Sequence, residues 1–340
     1  MRRSRKEVVR QRKICMTVLL IVVILLAALY GGYHVWKQTK AMSETEVSAQ
    51  KQQIRDEQDE DTIQHAGNTY RYNDHLSNYL FMGIDTRESV DTYESQQDAG
   101  QADAIFLISM DRVTQQLCVL SIPRDTMARI EVFNPAGKSL GGTTDHINIQ
   151  YAYGDGKQKS CELMKTAVSE LLDGIPIQGY CSMNMDGISA VTDFVEGVEI
   201  TVPDDSLAGV DPEFSEGAVV TLTGENAEQF VRYRDTAQTQ SALVRQERQK
   251  AYIEALIAKV QEKTAADAGF VADLYENIKS YTVTNMGTDI FVKLLDASQN
   301  GTIEKETVPG EGVQGKDFDE YHVDETALTE LLLSMFYEKV

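Results

Sequence analysis

From about Leu76 onward the chain alternates between continuous apolar runs and stretches with helical periodicity. The runs "YLFMGID" (79–85), "AIFLISMD" (104–111), "LCVLSI" (117–122), "YCSMNM" (180–185), "VEITVP" (198–203) and "AVVTL" (218–222) read as strands. Their apolar positions are consecutive rather than alternating, which predicts strands covered on both faces. Between them, helices are predicted at 160–172, at 186–195 capped by Asp186, and at 223–234, where Thr223 with Gly224 and Glu225 as an acceptor-rich first turn fits better than a Thr223–Asn226 pair. The longest spans 241–263, where Leu243, Tyr252, Leu256, Ile257 and Val260 partly share a face. The C-terminal "ETALTELLLSMFYEKV" (325–340) is predicted as a further amphipathic helix. Strands interleaved with helices predict one layered α/β domain over 76–340.

Two segments precede that domain. Residues 14–36, "ICMTVLLIVVILLAALYGGYHVW", carry no formal charge with His34 neutral and are long enough to cross a bilayer as a helix. Tyr30, Tyr33 and Trp36 gather at the far end, and residues 1–13 hold seven Lys/Arg against one Glu. That asymmetry predicts a single-pass anchor in the cell membrane, with the tail in the cytoplasm and the C-terminal domain outside. A cleaved signal peptide is the rival reading; the run is long for one, and Ala41 is a weak cleavage site. Residues 37–75 are polar, with an acidic patch at Asp56–Asp61, and read as a linker, helical or disordered.

Charge narrows the functions open to the chain. With 32 basic and 53 acidic residues the net charge is −21, and most of the tail's charge is positive, so the remainder is more acidic still. A broad basic face for nucleic acid is excluded. Cys118, Cys161 and Cys181 follow the span, with no metal-like spacing; one bridge is possible but has no assignable pairing. The five histidines are scattered and suggest no metal cluster.

Against this acidic background, four arginines lie close together: Arg232 and Arg234 in "FVRYRDT", and Arg245 and Arg248 in "LVRQERQK". Arg124 follows an apolar strand in "LSIPRDT". Guanidinium groups hold phosphate by paired, planar hydrogen bonds and stay charged when partly buried. In open α/β sheets ligands gather beyond the carboxyl ends of strands, where Asp85, Arg124 and Asp125 stand. Carboxylates with several arginines suit a metal-bridged diphosphate, with oxygen ligands for Mg²⁺ and guanidinium for the remaining charge.

The strings "GIDTR", "ADAIFLISMD", "LSIPRDT", "INIQYAYG", "LTGENAEQFVRYR" and "RQERQ", in this order, resemble the LytR-CpsA-Psr (LCP) family of cell-envelope proteins. The resemblance covers roughly residues 79–263. It implies an α/β/α sandwich with an apolar cavity for a polyprenyl tail. It also implies transfer of a glycopolymer, such as teichoic acid or capsule, from a polyprenyl-diphosphate carrier to peptidoglycan, forming a phosphodiester and releasing polyprenyl phosphate. By position, Asp85 and Asp103 correspond to Mg²⁺ ligands. Arg124, Arg232, Arg234 and Arg245 correspond to the diphosphate clamp, and Arg248 to a further phosphate-binding position.

The chain departs from that pattern at Gln101, where the family usually has an arginine; the contact would then be missing or supplied by another residue such as Arg87. The approach to the second arginine pair, "DTAQTQSALVRQERQ", also differs, as does Gln150 where the family has histidine. Local geometry adds constraints. Arg232 and Arg234 would diverge by about 200° on a helix, so both reach one ligand only where the helix ends or the segment is extended, and "RDTAQTQSA" after them favours an end. Arg245 and Arg248 share a helix face. Asp125 is expected to orient Arg124 rather than act as a base, because a carboxylate beside arginine has a lowered pKa. The plainer alternative makes the arginines surface partners of Glu225, Asp235 and Glu247, and the two aspartates strand-end caps. Two other functions compete: a non-catalytic envelope receptor or scaffold for lipid-linked intermediates, and a LytR-type transcription attenuator. Thirteen cytoplasmic residues are too few for a helix-turn-helix.

Overall fold

A strand pair made from two of the apolar runs forms the middle of the molecule's main sheet. The computed structural model describes residues 62–93, 99–134, 137–235, 241–267, 269–300 and 303–340. The expected anchor at 14–36 and its basic tail lie outside these residues. Among the described residues, no helix is long and apolar enough to cross a membrane. The chain divides into two units, Met1–Arg71 with Lys339–Val340, and Tyr72–Glu338.

The first unit corrects the reading of 37–75 as linker throughout. Two strands, β1 (Thr62–His65) and β2 (Asn68–Tyr72), form an antiparallel hairpin. Its two-residue turn has Ala66 at φ 48° and Gly67 at φ 78°. Positive φ at both central positions matches the twist of the flanking strands, and glycine adopts it without strain.

Along the second unit run β3 (Leu76–Ile84), β4 (Ala102–Asp111), β5 (Leu117–Ser121), β6 (Met127–Phe133) and β7 (Ser139–His146). A 3₁₀ segment (Ile147–Tyr153), α1 (Gln158–Leu171), β8 (Gly179–Asn184), α2 (Met185–Phe194), β9 (Val198–Thr201) and β10 (Val219–Leu222) follow. Then come α3 (Gly224–Arg232), α4 (Ser241–Ala266), α5 (Phe270–Ile278), β11 (Thr282–Thr284) and α6 (Thr288–Asn300). The last elements used below are β12 (Ile303–Thr307), β13 (Gly310–Gln314), β14 (Asp319–Val323) and α7 (Glu325–Phe336), which stops short of the expected 340 because the chain turns extended at Tyr337 and Tyr337–Lys339 form a strand.

The main sheet has the order β11-β8-β3-β4-β5-β12. It is mixed: β3 runs antiparallel to β4 and parallel to β8, and β5 is antiparallel to β4 and parallel to β12. Helices cover both faces. On one, Leu80, Met82, Ile105 and Leu107 join a core with Met164 and Val168 of α1 and Leu332 and Phe336 of α7. On the other, Tyr79, Phe81 and Met110 meet Phe291 and Leu294 of α6. Each such side chain contributes about 1.5–3 kcal/mol by leaving water, which explains why the runs are continuously apolar. Cys161 and Cys181 belong to cores on opposite faces, and both are free thiols, as is Cys118. The bridge left open by the sequence does not form among them.

Two expected strands behave differently. The runs at 198–203 and 218–222 pair only with each other, as the antiparallel β9–β10 ribbon. They pack with Phe230 of α3 and Tyr252 of α4 in a separate apolar cluster. Two caps also differ. Asn184, not Asp186, caps α2 by accepting from the Gly187 N–H at 3.1 Å. At α3 the cap is the Thr223–Asn226 pair that the sequence disfavoured: Asn226 Oδ1 accepts from the Thr223 N–H at 2.7 Å. An amide oxygen three residues into the helix reaches back to the cap where a backbone carbonyl does not.

Candidate active site

The pairing directions of the sheet gather the candidate residues. Because β4 is antiparallel to β3 and β5, its first residues lie at the same sheet end as the last residues of β3 and β5. Asp85 after β3, Gln101 and Asp103 at the start of β4, and Arg124 and Asp125 after β5 therefore share one edge.

Each is placed by local chemistry. The β5 ladder ends as Ile122 N–H donates to the Ile105 carbonyl at 3.0 Å, and Pro123 has no N–H with which to continue it. The Pro123 carbonyl then accepts from both the N–H (3.1 Å) and the hydroxyl (2.6 Å) of Thr126. Arg124 and Asp125 are thus the central residues of a doubly tied turn. The 3₁₀ segment docks on it, with Ile147 N–H on the Thr126 carbonyl at 2.9 Å. Asp103 sits at a register shift: Gly83 pairs with Ala104 and Ile84 with Ala102, leaving Asp103 without a partner in the ladder. A bulge of this kind re-aims a side chain. Gly100, at φ +69°, lets the chain pass over Asp85; a Cβ there would come within 2.7 Å of the Asp85 carboxylate.

The side chains form one charged knot. Arg124 Nη1 donates to Asp103 Oδ1, and Arg245 Nη1, from the first turns of α4, donates to Asp103 Oδ2 at 2.9 Å. Arg124 Nε also donates to Asp125 Oδ1 at 3.1 Å, and its Nη2 to Gln101 Oε1 at 3.4 Å. This is the orienting contact expected of Asp125. Gln101 N–H donates to Asp85 Oδ1 at 2.6 Å, and Asn148 Nδ2 donates to Gln101 Oε1 at 3.0 Å. Burial raises the Asp85 pKa; the Gln101 N–H opposes that, while the Asp103 charge adds to it. Burial pulls the Arg245 pKa down, with Asp103 holding the charge in place.

The remaining arginines divide. The helix does end at Arg232, and the next residue, Tyr233, is extended at ψ 134°. The two neighbours consequently part company. Arg234 donates from Nε to Ser241 Oγ at 2.9 Å and lies 3.6 Å from Asp319. It lines the same cleft as Arg124 and Gln101. Arg232 is exposed and meets Glu228 at 3.3 Å. Arg87, the candidate substitute for the missing arginine, binds that same Glu228 and Asp186 rather than Asp103. Arg248 is only 1% exposed, with Nη2 on the Tyr233 carbonyl and its guanidinium 6.0 Å from the Phe230 ring. Sharing a helix face with Arg245 does not bring it to Asp103.

The cleft has a volume of about 530 Å³. Arg124, Gln101 and Arg234 line it, as do Asp145 and His146 at the end of β7 and residues 316–320, which run from the β13–β14 connection into β14. β14 is brought there by an N–H of Tyr321 on the Asp125 carbonyl at 2.8 Å. Asn148 and Asp319 were not singled out from the sequence. Asn148 sits within the quoted "INIQYAYG" string, whereas Asp319 follows no motif. Among the described residues, no set of three or more His, Cys, Asp or Glu forms a metal cage.

The model of the LytR_cpsA_psr family matches residues 35–336. A curated relative from Halalkalibacterium halodurans, named polyisoprenyl-teichoic acid–peptidoglycan teichoic acid transferase TagU, is 30% identical over 239 residues, 69% of this chain and 70% of its own. TagU of Bacillus subtilis is 26% identical over 336 residues, 97% of each chain. The crystal structure of Bacillus subtilis TagV superposes with a TM-score of 0.60 at 23% identity, covering 77% of this chain and 96% of that one. A structure described as TagT bound to LI-WTA gives 0.58 at 22%, covering 77% and 89%. At these identities the superpositions establish the shared mixed α/β fold.

Proposed function

The chain belongs to the LytR_cpsA_psr family, and from that premise we propose that it transfers a glycopolymer from a polyprenyl-diphosphate carrier to peptidoglycan. A peptidoglycan hydroxyl attacks the phosphorus bonded to the glycopolymer. The new P–O bond makes a phosphodiester, the P–O–P bridge breaks, the hydroxyl proton is lost to the medium, and polyprenyl phosphate departs. The observation that carries this reading is the grip of two arginines from different elements, Arg124 and Arg245, on the single carboxylate of Asp103.

That carboxylate occupies guanidinium groups suited to a diphosphate. Charge grows on the phosphoryl and leaving oxygens as the bridge breaks, and donors already aimed at those atoms lower the barrier. Arg124, Arg245 and Arg234 are the clamp in this reading, with Gln101 as a neutral hydrogen-bonding member. Arg232 stands on the outer side, and Arg248 acts from beneath through Tyr233. Asp125 keeps Arg124 pointed inward.

Mg²⁺ fits the residues present. Asp85 and Asp103 are hard oxygen donors, and Asp103 raises the Asp85 pKa, a repulsion that a divalent cation would relieve. These two residues would hold the ion, which would neutralise diphosphate charge. The proposal also includes an apolar slot for the polyprenyl chain, and anchorage through residues 14–36 with the catalytic domain outside the cytoplasm.

The test uses the full chain in detergent with a polyprenyl-diphosphate saccharide, a peptidoglycan glycan fragment and Mg²⁺. Polyprenyl phosphate should appear, and Arg124→Ala should lower kcat about 10²–10³-fold. Undiminished turnover in the Arg124→Ala, Arg245→Ala double variant overturns the clamp. Tight binding of the carrier without product, acceptor present, would make the protein a receptor.

A further inference from the structure

Two sheet edges of the molecule are treated differently by the sequence. β12 lies at one edge of the main sheet, and its exposed residues Glu304, Lys305 and Glu306 are all charged. Charges on an edge discourage another strand from adding to it. β7 pairs with β6 alone. From Ser139 to Thr144 it is exposed throughout, and its sequence there, "SLGGTT", holds neither a charge nor a proline. This edge is unguarded.

The pairing register shows which backbone groups it offers. In an antiparallel pair, opposite residues alternate between exchanging both backbone bonds and turning both groups outward. Glu131 lies opposite Gly142 and spends its N–H and carbonyl on the Gln150 side chain, at 2.6 and 3.0 Å, on the far side of β6. Gly142 therefore turns its N–H and carbonyl away from β6, and so does Thr144 two residues on. Gln150 covers the outer edge of β6, whereas among the described residues no strand pairs with the outer edge of β7. Gly141, at φ +96°, breaks the regular edge at one end. The remainder, Gly142–His146, is about 17 Å long, room for a peptide of about five residues.

The open edge runs into the cleft. Thr144, Asp145 and His146 line its far wall together with Phe318, which is 75% exposed and stands edge-on to the His146 ring with centroids 6.3 Å apart. Asp145 meets the His146 N–H at 2.8 Å and the His146 Nδ1 at 3.0 Å, both through Oδ1. Its Oδ2 is left to accept from another donor, and Asp317 adds a second carboxylate to the same wall. A short extended peptide with a positive charge complements such a surface. Its backbone pairs with Gly142 and Thr144, and its cation meets the carboxylates.

We infer that the outer edge of β7 binds the peptide branch of the peptidoglycan acceptor as an added strand, with the ammonium of its diamino acid against Asp145. The inference deepens the transfer reading and rests on it for the chemistry of the acceptor. Strand addition at this edge leads the acceptor along β7 toward Arg124 and Arg234, which line the same cleft.

Calorimetry on the full-length protein in detergent tests it. The probes are a peptidoglycan disaccharide bearing a lysine-containing pentapeptide, the same fragment methylated at its peptide nitrogens, the same fragment acetylated at the lysine amine, and the peptide-free disaccharide. The unmodified fragment should bind about tenfold more tightly than the peptide-free disaccharide, the net effect of two backbone hydrogen bonds. The methylated fragment should lose that advantage and the acetylated one part of it. Thr144→Pro removes the outward N–H and spares the ladder to β6. It should bind the disaccharide as wild type does and lose the preference for the peptide; the methylated fragment tests the same bonds on the unaltered protein. The inference is overturned if wild type binds the fragments with and without peptide equally, or if methylation or acetylation changes nothing. It is also overturned if wild type sediments as a dimer that Thr144→Pro makes monomeric, since the edge would then serve a second copy of the chain. Polyprenyl phosphate release with a peptide-free acceptor, together with no peptide preference, would leave the transfer reading standing while the edge fell. Peptide preference without release would do the reverse.

Discussion

Arg245 and Arg248 occupy one turn of one helix, yet they live in different chemistry. Arg245 meets a charged partner, with Nη1 on Asp103 Oδ2 and Nη2 on the Asp103 carbonyl at 3.3 Å. Arg248 meets a backbone carbonyl and two aromatic rings, and its Nε and Nη1 have no partner. Both are more than nine-tenths buried. The difference teaches that an arginine's type and spacing announce a buried guanidinium, while its neighbours decide whether the charge is offered to a ligand or used to hold the fold. Arg248, with Gln249 Nε2 on the Val231 carbonyl at 3.3 Å, ties down the end of α3 from which Arg234 turns into the cleft.

The sharpest break in that comparison comes from removing the charged partner. Asp103→Ala leaves Arg245 buried and uncompensated beside Arg124, and should cost about 3–5 kcal/mol. Arg248→Met removes a charge that already lacks an ionic mate in contact and substitutes a side chain of similar length, so stability should move by only about 1 kcal/mol. Urea unfolding of the two variants measures the contrast; equal losses would mean that the two guanidinium groups play the same part in the fold.

A smaller effect follows from Asp85. Its pKa is raised in the folded protein from 3.8, so its contribution to stability is complete below that value and is lost as pH rises through the folded pKa. At neutral pH the ionised group is a liability when no cation is bound. Asp85→Asn should therefore raise the Tm of the metal-free protein by a few degrees and abolish the stabilisation produced by MgCl₂. Thermal scans with and without EDTA decide it, and an undiminished MgCl₂ response in the variant would count against Asp85 as a ligand.

The smallest expected effect is at the cleft's far wall. Burial works to lower the His146 pKa, but its bonds to the Asp319 carbonyl and the Asp145 carboxylate, with the Asp125 charge, outweigh it and raise the pKa above 6.5. The tether it forms is complete below 6.5 and weakens as pH rises through the higher folded value. The ring resonances of His146 should titrate above those of an exposed histidine, and His146→Gln should flatten that part of the stability–pH curve.

Much of the fold was legible because burial on two faces demands continuous apolar strands, as β3 and β4 show. The β1–β2 hairpin was missed because its strands are short and half-exposed, with polar residues at most positions. The antiparallel direction of β4 had no signal in an apolar run that reads the same either way. In the candidate site, the Pro123 turn and the end of α3 could be anticipated from local rules. The diversion of Arg87 and Arg232 to Glu228 could not, since it depends on which helix packs beside which loop.

Residue types and their order along the chain already determined an acidic α/β protein whose arginines and aspartates belong to the LytR_cpsA_psr pattern, because propensity, apolar periodicity and turn chemistry act over a few neighbours. Only the tertiary structure decided that Asp103 bulges out to meet Arg124 and Arg245, that Arg248 faces inward, and that Phe318 and Asn148 share a cleft with them. Those outcomes depend on strand direction and on the packing of segments far apart in the chain, which no local pattern encodes.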